Sequence, residues 1–163
     1  MDQRFRILMV CLGNICRSPT AHGVMRQVVA REGLQAQVVV ESCRKHDFQE
    51  GDPPDARAQQ HALQRGYDLS DLRSRPLNAA DFDSADLILA MDMQNMTLLR
   101  AQCPAAHQNK LRLLTEYGQR LHAHSVPDPY FGGANGFEQV LDLVEDACEG
   151  VLRAVQAELK ARS

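Results

Sequence analysis

Apolar positions along this chain follow two different periods. Short, nearly continuous apolar runs at residues 5–10, 37–41, 86–91 and 110–114 read as buried strands. Between and after them, three-four spacing predicts helices over 18–32, 54–66, 92–102 and 135–160. The last helix is the clearest. Phe137, Val140, Leu141, Val144, Cys148, Val151, Leu152, Val155 and Leu159 form one stripe, with Asp142, Glu145, Asp146 and Glu149 on other faces. Such a stripe is core packing, and Cys148 on it is read as inert. Strands alternating with helices predict an α/β fold: a single open four-stranded parallel sheet with helices on both faces. In sheets of this kind ligands bind beyond the carboxyl ends of the strands.

Composition narrows the function without naming it. The 163 residues suit one compact domain over 1–163, and no repeat, low-complexity tract or linker divides them. Apolar content of 44% and charged content of 24% are ordinary for a soluble globular protein. The net charge of −3 comes with no basic block, which argues against nucleic-acid partners and membrane surfaces. The apolar run at 5–10 is too short for a signal peptide or a membrane span, so no membrane insertion is expected. Five irregularly spaced cysteines do not describe a secreted disulfide framework and point to reduced thiols in a cytoplasm. There is no Cys-x-x-Cys pair, and His122 and His124 fit no ligand pattern. They read as exposed residues of a polar segment, and no metal site or cofactor is expected. Neither a Walker-type loop nor a Gly-x-Gly-x-x-Gly is present to hold ATP or NAD.

The chemistry is concentrated in one segment. Cys11-Leu12-Gly13-Asn14-Ile15-Cys16-Arg17-Ser18 directly follows the first apolar run and opens the first helix. A cysteine attacks only as thiolate, and a helix N-terminus favours that anion as it favours phosphate. Gly13 and Asn14 tolerate positive φ, so the loop can turn its amides inward. Arg17 offers a planar fork for two phosphate oxygens. Ser18 fits an N-cap and Pro19 the first helical position, and the Ser18 hydroxyl can also donate to the Cys11 sulfur. The arrangement predicts an anion cradle with a nucleophile at its base.

On these residues the chain resembles the low-molecular-weight protein tyrosine phosphatase family over essentially its whole length. Cys11 to Pro19 carry the resemblance, with Asp128-Pro129-Tyr130 near the far end. Two weaker stretches support it, Asp52 to Ala58 and Asp81-Phe82-Asp83 leading into Leu87 to Asp92. The resemblance implies hydrolysis of phosphotyrosine monoesters through a phosphocysteine, without metal. Its substrate is a tyrosine-phosphorylated protein or peptide, and phosphate or another oxyanion is product or inhibitor. Asp128, stiffened by Pro127 and Pro129, is the expected general acid and later base; its alternative is a turn aspartate beside prolines. Tyr130 and Phe131 are placed on the wall of the cleft. Phe48 is either the opposite wall or a loop anchor. Asn14 and Ser42 match positions that hold the phosphate loop in shape. Cys16 matches a protective thiol that pairs reversibly with an oxidised Cys11, making the enzyme redox-sensitive. Asp92 and Asn95 read as caps of the helix after the third strand.

Two departures stand out against the family pattern. Cys43 to Phe48 is bulkier and more basic than the small residues usual after the serine. His22 and Leu72 stand where a glutamate and a histidine are frequent, so a brace between them is missing or rebuilt, and an altered pH profile is expected. Three other functions fit the pattern less well. Arsenate reduction on this fold needs two relay cysteines, and segment 80–95 has none. Arginine phosphatases tend to carry threonine where Ile15 stands. A non-catalytic phosphate binder would need neither Cys11 nor Asp128.

Overall fold

The computed structural model describes residues 3–11, 16–44, 51–129 and 133–163. Four parallel strands form one sheet in the order β2-β1-β3-β4: β1 (Phe5–Cys11), β2 (Val38–Arg44), β3 (Leu87–Ala90) and β4 (Leu111–Leu113). The four-stranded parallel sheet expected from the alternation is present. β1 is central, and all its residues but Arg6 are buried, as expected of a strand covered on both faces. The helices are α1 (Arg17–Arg31), α2 (Ala56–Gln64), α3 (Ala79–Ser84), α4 (Met93–Gln102) and α5 (Ala134–Arg162).

Successive strand residues point to opposite faces and divide the core in two. Ile7, Met9 and Cys11 of β1 pack with Val24, Met25 and Val28 of α1 and with the α5 stripe. Leu8 and Val10 pack on the other face with Phe82 of α3 and Met96 and Leu99 of α4. The α5 stripe is core as read, with Cys148 fully buried. Asp146 is the exception on that helix. It is 6% exposed, because its carboxylate accepts the backbone amides of Gln119, Arg120 and Leu121 at 2.8–3.2 Å. The loop over α5 brings its own donors to a residue whose sequence position reads as solvated.

The helix ends follow local chemistry. Asp55 caps α2, accepting from the amides of Arg57 and Ala58. At the end of α1, Gly33 takes φ +70°, its amide bonds Ala30 O at 3.0 Å, and Leu34 N bonds Val29 O at 3.0 Å. This paired closure needs a left-handed residue, which glycine supplies without strain. The six-residue α3 has no counterpart in the three-four spacing. Asp81 makes it a helix, accepting from the amide of Asn78 at 2.9 Å and from both Arg75 Nη atoms at 3.0 Å.

The strand order reverses direction beside β1: β2 lies on one side and β3 on the other. The carboxyl ends of β1 and β3, Cys11 and Ala90 with Met91-Asp92 beyond, border the crevice where such sheets bind ligands.

Candidate active site

Cys11 ends β1 and is fully buried. Its sulfur lies 2.9 Å from the hydroxyl of Ser18. Burial pushes the thiol up. The Ser18 hydroxyl, a backbone hydrogen bond at Ser18, and the charges of Arg17 and Arg44 oppose that rise.

The helix start differs from the sequence reading. α1 begins at Arg17 with Cys16 as N-cap, and no side chain caps it. Ser18 and Pro19 therefore lie inside the first turn rather than at its edge. The physical reason is that the Ser18 hydroxyl is engaged with the Cys11 sulfur, and Cys16 O accepts from Thr20 Oγ1 at 2.7 Å and from Thr20 N at 3.3 Å. Cys16 is buried, and burial, followed by the charges of Asp55 and Asp128, pushes its thiol up to about 12.

Arg17 is 5% exposed and is held by two groups distant in sequence. Its Nη1 donates to Asp92 Oδ2 at 2.7 Å and to the carbonyl of Val126 at 2.9 Å. Asp92 also caps α4, accepting from Asn95 N at 2.7 Å. The cap was expected; the grip on Arg17 was not. Its signal in the sequence is an acidic residue just past the end of a central strand, at the crevice edge. Val126 N donates to Met91 O at 2.8 Å, which pins the segment before Pro127-Asp128-Pro129 to the same strand end. Asp128 is exposed, and its charge is felt at Cys16.

Ser42 lies on β2, where its hydroxyl is 2.7 Å from His22 Nδ1 on α1. Burial, followed by the nearby Arg26 charge, lowers His22 to about 4. His22 thus pairs with Ser42, while Leu72 is buried in the core. Leu12, Gly13, Asn14 and Ile15, and the wall candidates Phe48, Tyr130 and Phe131, lie outside the described residues. Among the described residues no group of three His, Cys, Asp or Glu side chains is placed to hold a metal ion.

The family model for low molecular weight phosphotyrosine protein phosphatase matches residues 6–161. The chain belongs to that family. A protein of Synechocystis that carries the family's name is 41% identical over 155 residues, covering 94% of this chain and 98% of its own. The human low molecular weight phosphotyrosine protein phosphatase is 32% identical over 148 residues, covering 90% and 92%. Among solved structures, a protein tyrosine phosphatase of Entamoeba histolytica with Hepes in its active site aligns with a TM-score of 0.91 at 36% identity. That alignment covers 94% of this chain and 98% of the other. Within this phosphatase fold, the convergence of Cys11, Ser18 and Arg17 with the Val126–Pro129 segment lies at the carboxyl edge of β1 and β3.

Proposed function

We propose that this chain is a protein tyrosine phosphatase that hydrolyses phosphotyrosine monoesters through a phosphocysteine. The observation that carries the proposal is the double hold on Arg17. Asp92 and the Val126 carbonyl fix its guanidinium beside the strand end that bears Cys11, and the second hold draws the Asp128 segment to the same place. A non-catalytic phosphate binder needs no buried thiol hydrogen-bonded to a hydroxyl.

In the first step the Cys11 thiolate attacks phosphorus, the ester P–O bond breaks, and Asp128 gives its proton to the departing phenolate. Arg17 and the loop amides carry the charge on the equatorial oxygens. In the second step Asp128 takes a proton from water, whose oxygen attacks phosphorus. The P–S bond breaks, and phosphate and the Cys11 thiolate are released. Ser18 stabilises that sulfur as leaving group. Amides of Leu12 to Cys16 turned toward the anion would add to the groups that oppose the burial of Cys11. Tyr130, Phe131 and Phe48 are the proposed apolar walls for the tyrosyl ring.

The finer proposal is redox protection. Peroxide converts the Cys11 thiolate to sulfenic acid, and the Cys16 sulfur displaces its hydroxyl as water, giving a disulfide that an external thiol reduces.

Turnover of an aryl phosphate with excess chelator tests the proposal, with Cys11→Ser alongside. Wild-type turnover should survive chelation. Cys11→Ser should abolish it while vanadate or phosphate still binds, because Arg17 remains. Turnover by Cys11→Ser near the wild-type rate would remove Cys11 from the chemistry.

A further inference from the structure

We propose that Arg44 is a second positioning residue for Cys11, a buried cation on β2 that favours the thiolate while Arg17 acts from α1. The proposal deepens the phosphatase reading and rests on it for the need of a thiolate.

Arg44 is the last residue of β2 and lies directly across from Cys11 in the parallel register. Partners in register share a face, so both side chains leave the sheet on the side covered by α1. Arg44 is only 3% exposed. With Ser18, Pro19 and Ser42 it lines a cavity of about 20 Å³ beside the start of α1. Its Nη2 donates to Ser74 Oγ at 2.7 Å, and Asp52 Oδ2 is 4.0 Å away. Its field at the sulfur acts against the burial of the thiol.

A structural role is already filled by the Arg44 backbone. Its amide bonds Arg75 O at 3.0 Å, and its carbonyl accepts from Leu77 N at 2.9 Å. These bonds fasten the end of β2 to segment 75–77 whatever the side chain. Taking a guanidinium out of water is costly, so its placement across from the nucleophile calls for a compensating use. Arg17 alone is a weaker source of positive field than its position suggests, because Asp92 lies 2.7 Å from its Nη1. Among the described residues, the other groups that act on Cys11 include the Ser18 hydroxyl and Arg17 of α1, Cys16 at its N-cap, and Cys43 on β2. Among the described residues named here Arg17 is the other cation, so Arg44 adds a further positive charge at the sulfur.

The test reads the thiol directly. The rate of iodoacetamide alkylation is followed from pH 4 to 10, counted on the Cys11 peptide by mass spectrometry so that the other four cysteines do not contribute. Arg44→Gln keeps a donor for Ser74 and removes the charge. Its apparent Cys11 pKa should rise by about half to one unit, the low end of what a neighbouring charge does. Alkylation well below that pKa should slow about three- to tenfold in step. Arg44→Lys, which keeps the charge, should return the profile to within a few tenths of a unit of wild type. Arg44→Met, a second uncharged variant, should repeat the shift of the Gln variant. Superimposed profiles for wild type and Gln overturn the proposal. So does a Lys variant shifted as far as Gln, which would mark a structural role. If neither uncharged variant melts cooperatively, the proposal also fails, because Arg44 is then a folding residue first. Alkylation needs no turnover. A wild type that shows the pKa shift but hydrolyses no aryl phosphate would sink the phosphatase reading alone.

Discussion

Arg17 is oriented before any substrate arrives, and Asp92 does two jobs in achieving it. One carboxylate oxygen caps α4 and the other holds the Arg17 guanidinium. Asparagine caps a helix as well as aspartate does, so Asp92→Asn separates the two roles. It should still fold and melt cooperatively, at a midpoint lowered by loss of the Arg17 ion pair. Its kcat/KM on an aryl phosphate should fall about 10- to 100-fold, the cost of a misplaced transition-state contact. An unchanged kcat/KM would show that Val126 O alone suffices. Asp128 makes a sharper test. If it protonates the leaving group, Asp128→Ala should slow the burst phase on phenyl phosphate by about 10²–10⁴-fold, the usual range for general acid catalysis. A nitrophenyl or fluorinated phenyl phosphate leaves as a stabler anion, so its burst should slow much less. Equal losses for good and poor leaving groups would return Asp128 to a turn residue.

At the scale of the element, α5 carries a close approach that a sequence pattern does not reveal. Gly150 of α5 lies so close to the 3₁₀ turn Leu114–Tyr117 that an added Cβ would meet Tyr117 O at 1.9 Å and Tyr117 C at 2.9 Å. Both are backbone atoms, so neither can rotate away. Alanine would gain about 1 kcal/mol in helix propensity, but overpacking against backbone outweighs that gain. Gly150→Ala should therefore lose about 2 kcal/mol net, which in a domain of this size lowers Tm by about 5 °C. A differential scan that finds it equal to wild type or more stable would mean that α5 and the turn separate easily. Within α5 the apolar stripe was readable from three-four spacing alone. Asp146 was not, because its burial depends on the amides of residues 119–121 folding over it.

At the scale of the molecule, a buried histidine and a buried carboxylate, among other groups, tie stability to pH in the same direction. Burial holds His22 at about 4 instead of its ordinary 6.5. Below pH 6.5 the unfolded chain takes up a proton that the folded chain refuses, so stability falls with pH until about 4 and then levels. A shift of that size corresponds to a loss of about 3 kcal/mol, as an order of magnitude. Asp146 is opposite in cause. Burial raises it, but three backbone hydrogen bonds outweigh burial and leave it below the usual carboxylate range. Its contribution is present above its unfolded value and is lost as pH falls through the lower folded one. Denaturant midpoints from pH 7.5 to 3 should thus decline in two stages, and His22→Asn should remove most of the first stage. A variant whose curve parallels wild type between pH 6.5 and 4 would show that another group carries it. The amino-acid sequence by itself determined the strand and helix periods, the parallel sheet they require, and the local chemistry of Cys11 to Ser18. These are properties of neighbouring residues, written within a few turns of chain. Tertiary structure alone decided that Asp92 and Val126 grip Arg17, that His22 meets Ser42, and that Arg44 faces Cys11. Those contacts exist because strand order sets β2 and β3 on either side of β1, and no local pattern encodes which side chains then meet at the carboxyl edge.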